Sequence, residues 1–227
     1  MSLSNYIKES SAEYRNPPAN EVGASIHVLD FNNAKISTFS QDYSIKIRKC
    51  LSDIYSANQN IFNCHIDSFI EAANLKNSDN AYTDKNVIYV KSGLDDKKLK
   101  RSLVHELMHN CIQQGKILAT DDLKDEFVRK RKSLYNVIYH QAKNKSVVKK
   151  LPWYDLNRNN RIIDFFEKDI GYSLTSTLMY GIFPTINSIY SLDEYICEIA
   201  ELIFFVDPSY ARTVCPRGYE IVSTFLF

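Results

Sequence analysis

Across its 227 residues the chain is 44% hydrophobic and sets 28 Lys and Arg against 27 Asp and Glu, a net charge of +1. That balance excludes a global field drawing it to nucleic acid or an anionic membrane, and its apolar content with only 6 Gly and 6 Pro excludes a disordered or collagen-like chain. Five scattered cysteines without a Cys-x-x-Cys pair exclude a zinc ribbon or disulfide framework, leaving reduced thiols as the expectation.

Residues 1–20 are polar and end in Asn16-Pro17-Pro18, which predicts a flexible tail without a signal peptide. A short strand is predicted over Ala24–Leu29 and an amphipathic helix over Gln41–Asn58, where Ile45, Ile47, Cys50, Leu51, Ile54 and Tyr55 approximate a helical period. Phe62–Leu75 reads as a second helix or an irregular segment. Val87, Ile88, Tyr89 and Val90 mark the clearest strand, over Asn86–Lys91, with an edge available to an extended peptide.

Asp95–Gln114 is the most informative stretch. Two acids open it, Gly115 follows it, and Leu99, Leu103, Val104, Leu107, Met108 and Cys111 make a broad apolar stripe. Within it His105-Glu106-Leu107-Met108-His109 sets two imidazoles four residues apart, on one helical face and within reach of a single metal ion. Glu106 stands beside them, where it can take a proton from an activated water.

A long helix is predicted over Thr120–Asn144, with Arg129–Lys132 as a solvated basic face. Leu151-Pro152-Trp153 breaks the pattern, Asn157–Asn160 reads as a turn, Arg161–Lys168 as a short helix and Gly171–Ser188 as a loop. The last strong helix runs from Ser191 to Val206, with Leu192, Tyr195, Ile196, Ile199, Leu202, Ile203 and Val206 as its core face and Asp207-Pro208 as its end.

Two histidines leave a zinc ion short of protein ligands, and this helix has Glu194, Glu198 and Glu201 on one stripe. Ser191 with Glu194 also matches a capping box, and Glu198 and Glu201 also fit solvated positions. Acids that repel one another favour a cation between them. Glu194 is the preferred third ligand and Glu198 the alternative; with Glu194 on the metal, Glu198 is expected to accept the outer N–H of a ligand histidine.

His105-Glu106-x-x-His109 followed by Glu194-Tyr195-Ile196-Cys197-Glu198 resembles the gluzincin metallopeptidases, above all the lethal factor-like toxin and effector protease domains. Their second helix reads glutamate, two aromatics, a small residue and glutamate; Ile196 and Cys197 depart from it here. The Val-His-Glu-Leu-Met-His core is also similar to that of clostridial neurotoxin light chains. The resemblance covers these two helices only. It implies an α+β, zincin-like fold, helix-rich, with a small sheet whose edge strand flanks the active-site helix. The stretch between the two motifs is longer than in thermolysin-like enzymes, so 21–227 is expected to be a single domain with an insertion around 115–190.

The resemblance implies a zinc-dependent endopeptidase acting through a zinc-activated water, with Glu106 as general base, Zn2+ as cofactor and a protein or peptide as substrate. Related enzymes add a Tyr, His or Arg to stabilise the oxyanion. Tyr190, just ahead of the ligand helix, is preferred here over Tyr180, His140, Arg217 and Tyr219. The alternative is a catalytically inactive, metal-stabilised regulatory or protein-binding domain. Neither a nucleic-acid nor a membrane partner is expected, and the chain is placed in the cytoplasm or exported without a cleavable signal, in the manner of a leaderless toxin.

Overall fold

The computed structural model describes residues 27–73, 75, 80–141 and 165–227. The predicted tail, the basic stretch 143–150, Trp153, the turn at 157–160 and the start of the helix expected over 161–168 lie outside them. The chain divides into two compact units, Met1–Gln113 and Gln114–Phe227.

In the first unit Asn32 and Asn33 join β1 (His27–Phe31) to β2 (Ala34–Thr38). Asn32 takes a left-handed φ of 52°, which asparagine tolerates better than most residues. With β3 (Ser68–Ala72), β4 (Ala81–Asp84) and β5 (Val87–Lys91) they form a five-stranded sheet in the order β1-β2-β3-β5-β4. The central strands β2, β3 and β5 are parallel, while β1 and β4 are antiparallel to their neighbours. Ile36, Phe69 and Ile88 lie side by side across the three central strands, all fully buried. Helix α1 (Gln41–Ala57) packs against β1 and β2, and α2 (Asp96–Gln113) against β4, β5 and α1. The result is a mixed α+β fold.

Two expectations need correction here. The segment 62–75 is neither a second helix nor irregular throughout, because it supplies β3, paired on both sides. Buried Glu71 interrupts the apolar alternation of that strand, and its carboxylate accepts the Phe39 N–H at 2.6 Å. Likewise Val87–Lys91 is an interior strand, and the edge belongs to β4.

Among its described residues the second unit is helical: α3 (Asp121–Gln141), α4 (Tyr172–Leu178), α5 (Leu192–Phe205), α6 (Pro208–Val214) and α7 (Pro216–Leu226). A π-helical turn, Phe165–Ile170, and a 3-10 turn, Asn187–Ile189, complete it. Phe127, Phe183 and Tyr195 meet with ring centroids 5.5, 5.8 and 6.0 Å apart and anchor the core. The predicted loop 171–188 thus contains a helix, α4. Phe183 within that stretch and Ile189 just after it are fully buried, which gives an otherwise Ser- and Thr-rich segment something to pack on.

The basic run also differs from its expected role. Arg131 is only 1% exposed, and Lys130 donates to the carbonyls of Ile182 and Val214. Burial lowers the Lys130 pKa from its ordinary value. No helix among the described residues is long and apolar enough to cross a membrane.

Candidate metal centre

The α2 helix is fixed from its first residue. Asp95 accepts the Lys98 N–H at 2.8 Å, a bond that holds its carboxyl below the usual carboxylate range. Lys46 reaches from α1 to the Leu94 carbonyl at 2.7 Å and to Asp96 at 3.1 Å, and Lys100 pairs with Asp53 at 2.6 Å. At the far end, buried Asn110 donates to the His65 carbonyl and the Cys111 thiol to the Ile61 carbonyl. Leu99, Leu103, Val104, Leu107 and Met108 are fully buried, as the apolar stripe predicts.

This setting holds the motif in a defined geometry. The Nε2 atoms of His105 and His109 converge to 3.1 Å, with ring centroids 4.8 Å apart and planes at 68°. Two nitrogens bound to one tetrahedral zinc at about 2.0–2.1 Å stand about 3.3–3.4 Å apart, so the pair fits a shared cation with little adjustment. Without one, one ring must donate its N–H to the other. Glu106, 7% exposed, turns to β4 instead: its Oε2 accepts the Thr83 hydroxyl at 2.8 Å, and Thr83 Oγ1 also lies 3.1 Å from the Glu106 carbonyl.

In the second unit, Ser191 caps α5 by accepting the Glu194 N–H at 3.0 Å, one half of the predicted capping box. Glu194 is half-buried near the helix N-terminus, where the dipole favours a negative charge. One of its carboxylate oxygens lies within 4.8 Å of one on Glu198. Glu198 is 4% exposed and accepts from Asn187 Nδ2 at 3.2 Å. Glu201 is buried too, so neither of these acids is a solvated surface position. Two closely spaced, poorly hydrated carboxylates are a donor set for a hard or borderline cation.

The approach to α5 is set by groups the sequence did not single out. Arg131 lies 4.2 Å over the Phe127 ring and donates to the Ile189 carbonyl through Nε (2.9 Å) and Nη2 (2.7 Å) and to the Tyr190 carbonyl at 2.8 Å. Burial pushes its guanidinium down to about 9, which leaves it a cation at neutral pH. Buried Glu126 accepts the Tyr195 hydroxyl at 2.8 Å and the N–H groups of Arg217 and Gly218 at 2.9 and 3.1 Å. Burial above all raises the Tyr195 pKa, so that phenol stays a donor. Position in the basic run was the only sequence trace of Arg131. Glu126 and Thr83 left none.

The oxyanion candidates differ in their surroundings. Tyr190 is half-buried directly before the α5 cap, Tyr180 is 80% exposed, His140 is exposed, Tyr219 is half-buried and Arg217 is engaged with Glu220 at 2.8 Å. The chain matches no family model, no curated protein and no solved structure.

Proposed function

We propose that this protein is a zinc-dependent endopeptidase of gluzincin type with a zincin-like fold, in which His105, His109 and Glu194 hold the metal. The observation that carries this reading is the 3.1 Å convergence of the His105 and His109 Nε2 atoms, with Glu106 held between them in sequence. The close acids of α5, half-buried Glu194 and buried Glu198, support the third ligand: Glu194 binds and Glu198 steadies a ligand histidine.

When bound, a zinc ion supplies Lewis acidity, bringing the pKa of a water in its open position to about 7 and polarising the scissile carbonyl. The chain's own residues do the rest. Glu106 takes the proton of the attacking water and returns it to the leaving amine. Tyr190 donates to the developing oxyanion. An extended peptide adds to the open edge of β4, alongside Glu106. Five buried cysteines, none of them in a disulfide, suit a reducing cytosol, and the likeness to toxin proteases suits an effector delivered there.

Glu106→Gln is the decisive variant. It keeps stoichiometric zinc by elemental analysis while hydrolysis of a quenched peptide library falls by about 10²–10⁴-fold. Wild-type protein without stoichiometric metal overturns the reading. Full activity in the variant, measured as binding to a partner protein, points instead to a metal-stabilised binding domain.

A further inference from the structure

We propose that Thr83, on the edge strand β4, is a positioning residue that orients the Glu106 carboxylate; its catalytic meaning rests on the peptidase reading. Thr83 stands opposite Ile88 in the antiparallel β4–β5 pair, so its side chain shares the buried Ile88 face. From there its hydroxyl meets the same α2 residue twice, at Oε2 (2.8 Å) and at the main-chain carbonyl (3.1 Å). The hydroxyl has one hydrogen, and the nearer, charged acceptor is the stronger one.

A glutamate has three rotatable side-chain bonds, and a general base that swings through them spends little time where its proton is. Thr83 removes that freedom at one oxygen only. Oε1 accepts no hydrogen bond from the described residues, so a proton can be taken there while Oε2 stays tethered. Threonine suits the task because its β-branch restricts χ1 within a strand, giving the hydroxyl a fixed direction. The tether also joins the strand that a substrate would pair with to the group that would act on it.

The test compares Thr83→Val, which keeps the shape and removes the hydroxyl, with Thr83→Ser, which keeps the hydroxyl. The first readout needs neither zinc nor activity: the ¹³C resonance of the Glu106 side-chain carboxylate in metal-free protein, assigned by its disappearance in Glu106→Gln. It moves in Thr83→Val and returns to its wild-type position in Thr83→Ser. The second readout is kinetic. Thr83→Val lowers kcat about 10- to 100-fold with KM and zinc content close to wild type, and Thr83→Ser restores most of the rate.

An unchanged carboxylate resonance in Thr83→Val overturns the proposal, as does an unchanged kcat in a variant of an active enzyme. Parallel loss of zinc and folded signal in both variants marks a merely structural threonine, needed for its shape and not for its hydroxyl, and overturns it as well. A resonance shift in a protein that hydrolyses nothing leaves Thr83 as the orienting group and defeats the peptidase reading alone.

Discussion

The helices α2 and α5 face the same problem, polar groups on an otherwise apolar rod, and solve it differently. α2 lies against a sheet and a partner helix, and its charged ties to that helix, Lys46–Asp96 and Lys100–Asp53, are partly exposed. Its orientation comes from the β ladder beneath it, and a single hydroxyl manages its buried acid. α5 has no sheet among the described residues of its unit. Buried polar anchors place it instead: Arg131 on the carbonyls that precede it, Glu126 on Tyr195, and Gly218, whose missing side chain lets α7 come close. A helix on a sheet inherits its direction from backbone geometry, whereas a helix among helices draws on fully desolvated charges, whose loss is costly.

That contrast predicts unequal fragility. Arg131→Met keeps much of the volume but leaves the Ile189 and Tyr190 carbonyls short of donors, and is expected to cost about 2–4 kcal/mol in urea unfolding. A cost below that of an ordinary surface substitution breaks the comparison. Gly218→Ala follows. A Cβ there meets Ile199 Cδ1 at 2.4 Å and Tyr195 Cε1 at 3.3 Å, so fully buried Ile199 must shift. Overpacking of this kind costs about 1–3 kcal/mol, read as a lower urea midpoint with an unchanged slope.

On α2 the expectation reverses. Lys100→Met removes a 2.6 Å ion pair whose side chains are 30% and 46% exposed, and water and salt leave such a pair worth about 0–1 kcal/mol. The smallest effect belongs to Asp207, which caps α6 and whose pKa is lowered first by the Ser209 hydroxyl and then by the Ser209 N–H. A carboxyl depressed in the folded state adds stability above its unfolded pKa, near 3.9, and that contribution is lost as pH falls through the folded value. Asp207→Ala therefore lowers stability by a small, constant amount at neutral and alkaline pH, and urea unfolding followed against pH shows that deficit vanish as pH falls through the folded pKa.

The same contrast explains what was legible beforehand. The α2 and α5 boundaries fell within a residue or two of expectation, because a 3.6-residue apolar period, acidic first turns and a Ser cap are local signals. The motif spacing alone predicted that His105 and His109 converge. The sheet was only partly visible: β5 stood out, but β3 carries an inward Glu71 and β4 is four residues long with one apolar residue, Ala81. Hidden altogether were groups defined by distant partners. Arg131 looks like its neighbours Arg129 and Lys132 until the Ile189 carbonyl is known, and Thr83 like any strand threonine until Glu106 is beside it.

The two rims of the sheet are short, β1 with five residues and β4 with four. At about 3.4 Å per residue, β4 is about 14 Å long, room for no more than a few residues of a pairing chain. It is too little to template the stacked, in-register growth that drives fibril formation. Brevity here acts as a safeguard: a rim this short gives the molecule little with which to seed its own aggregation.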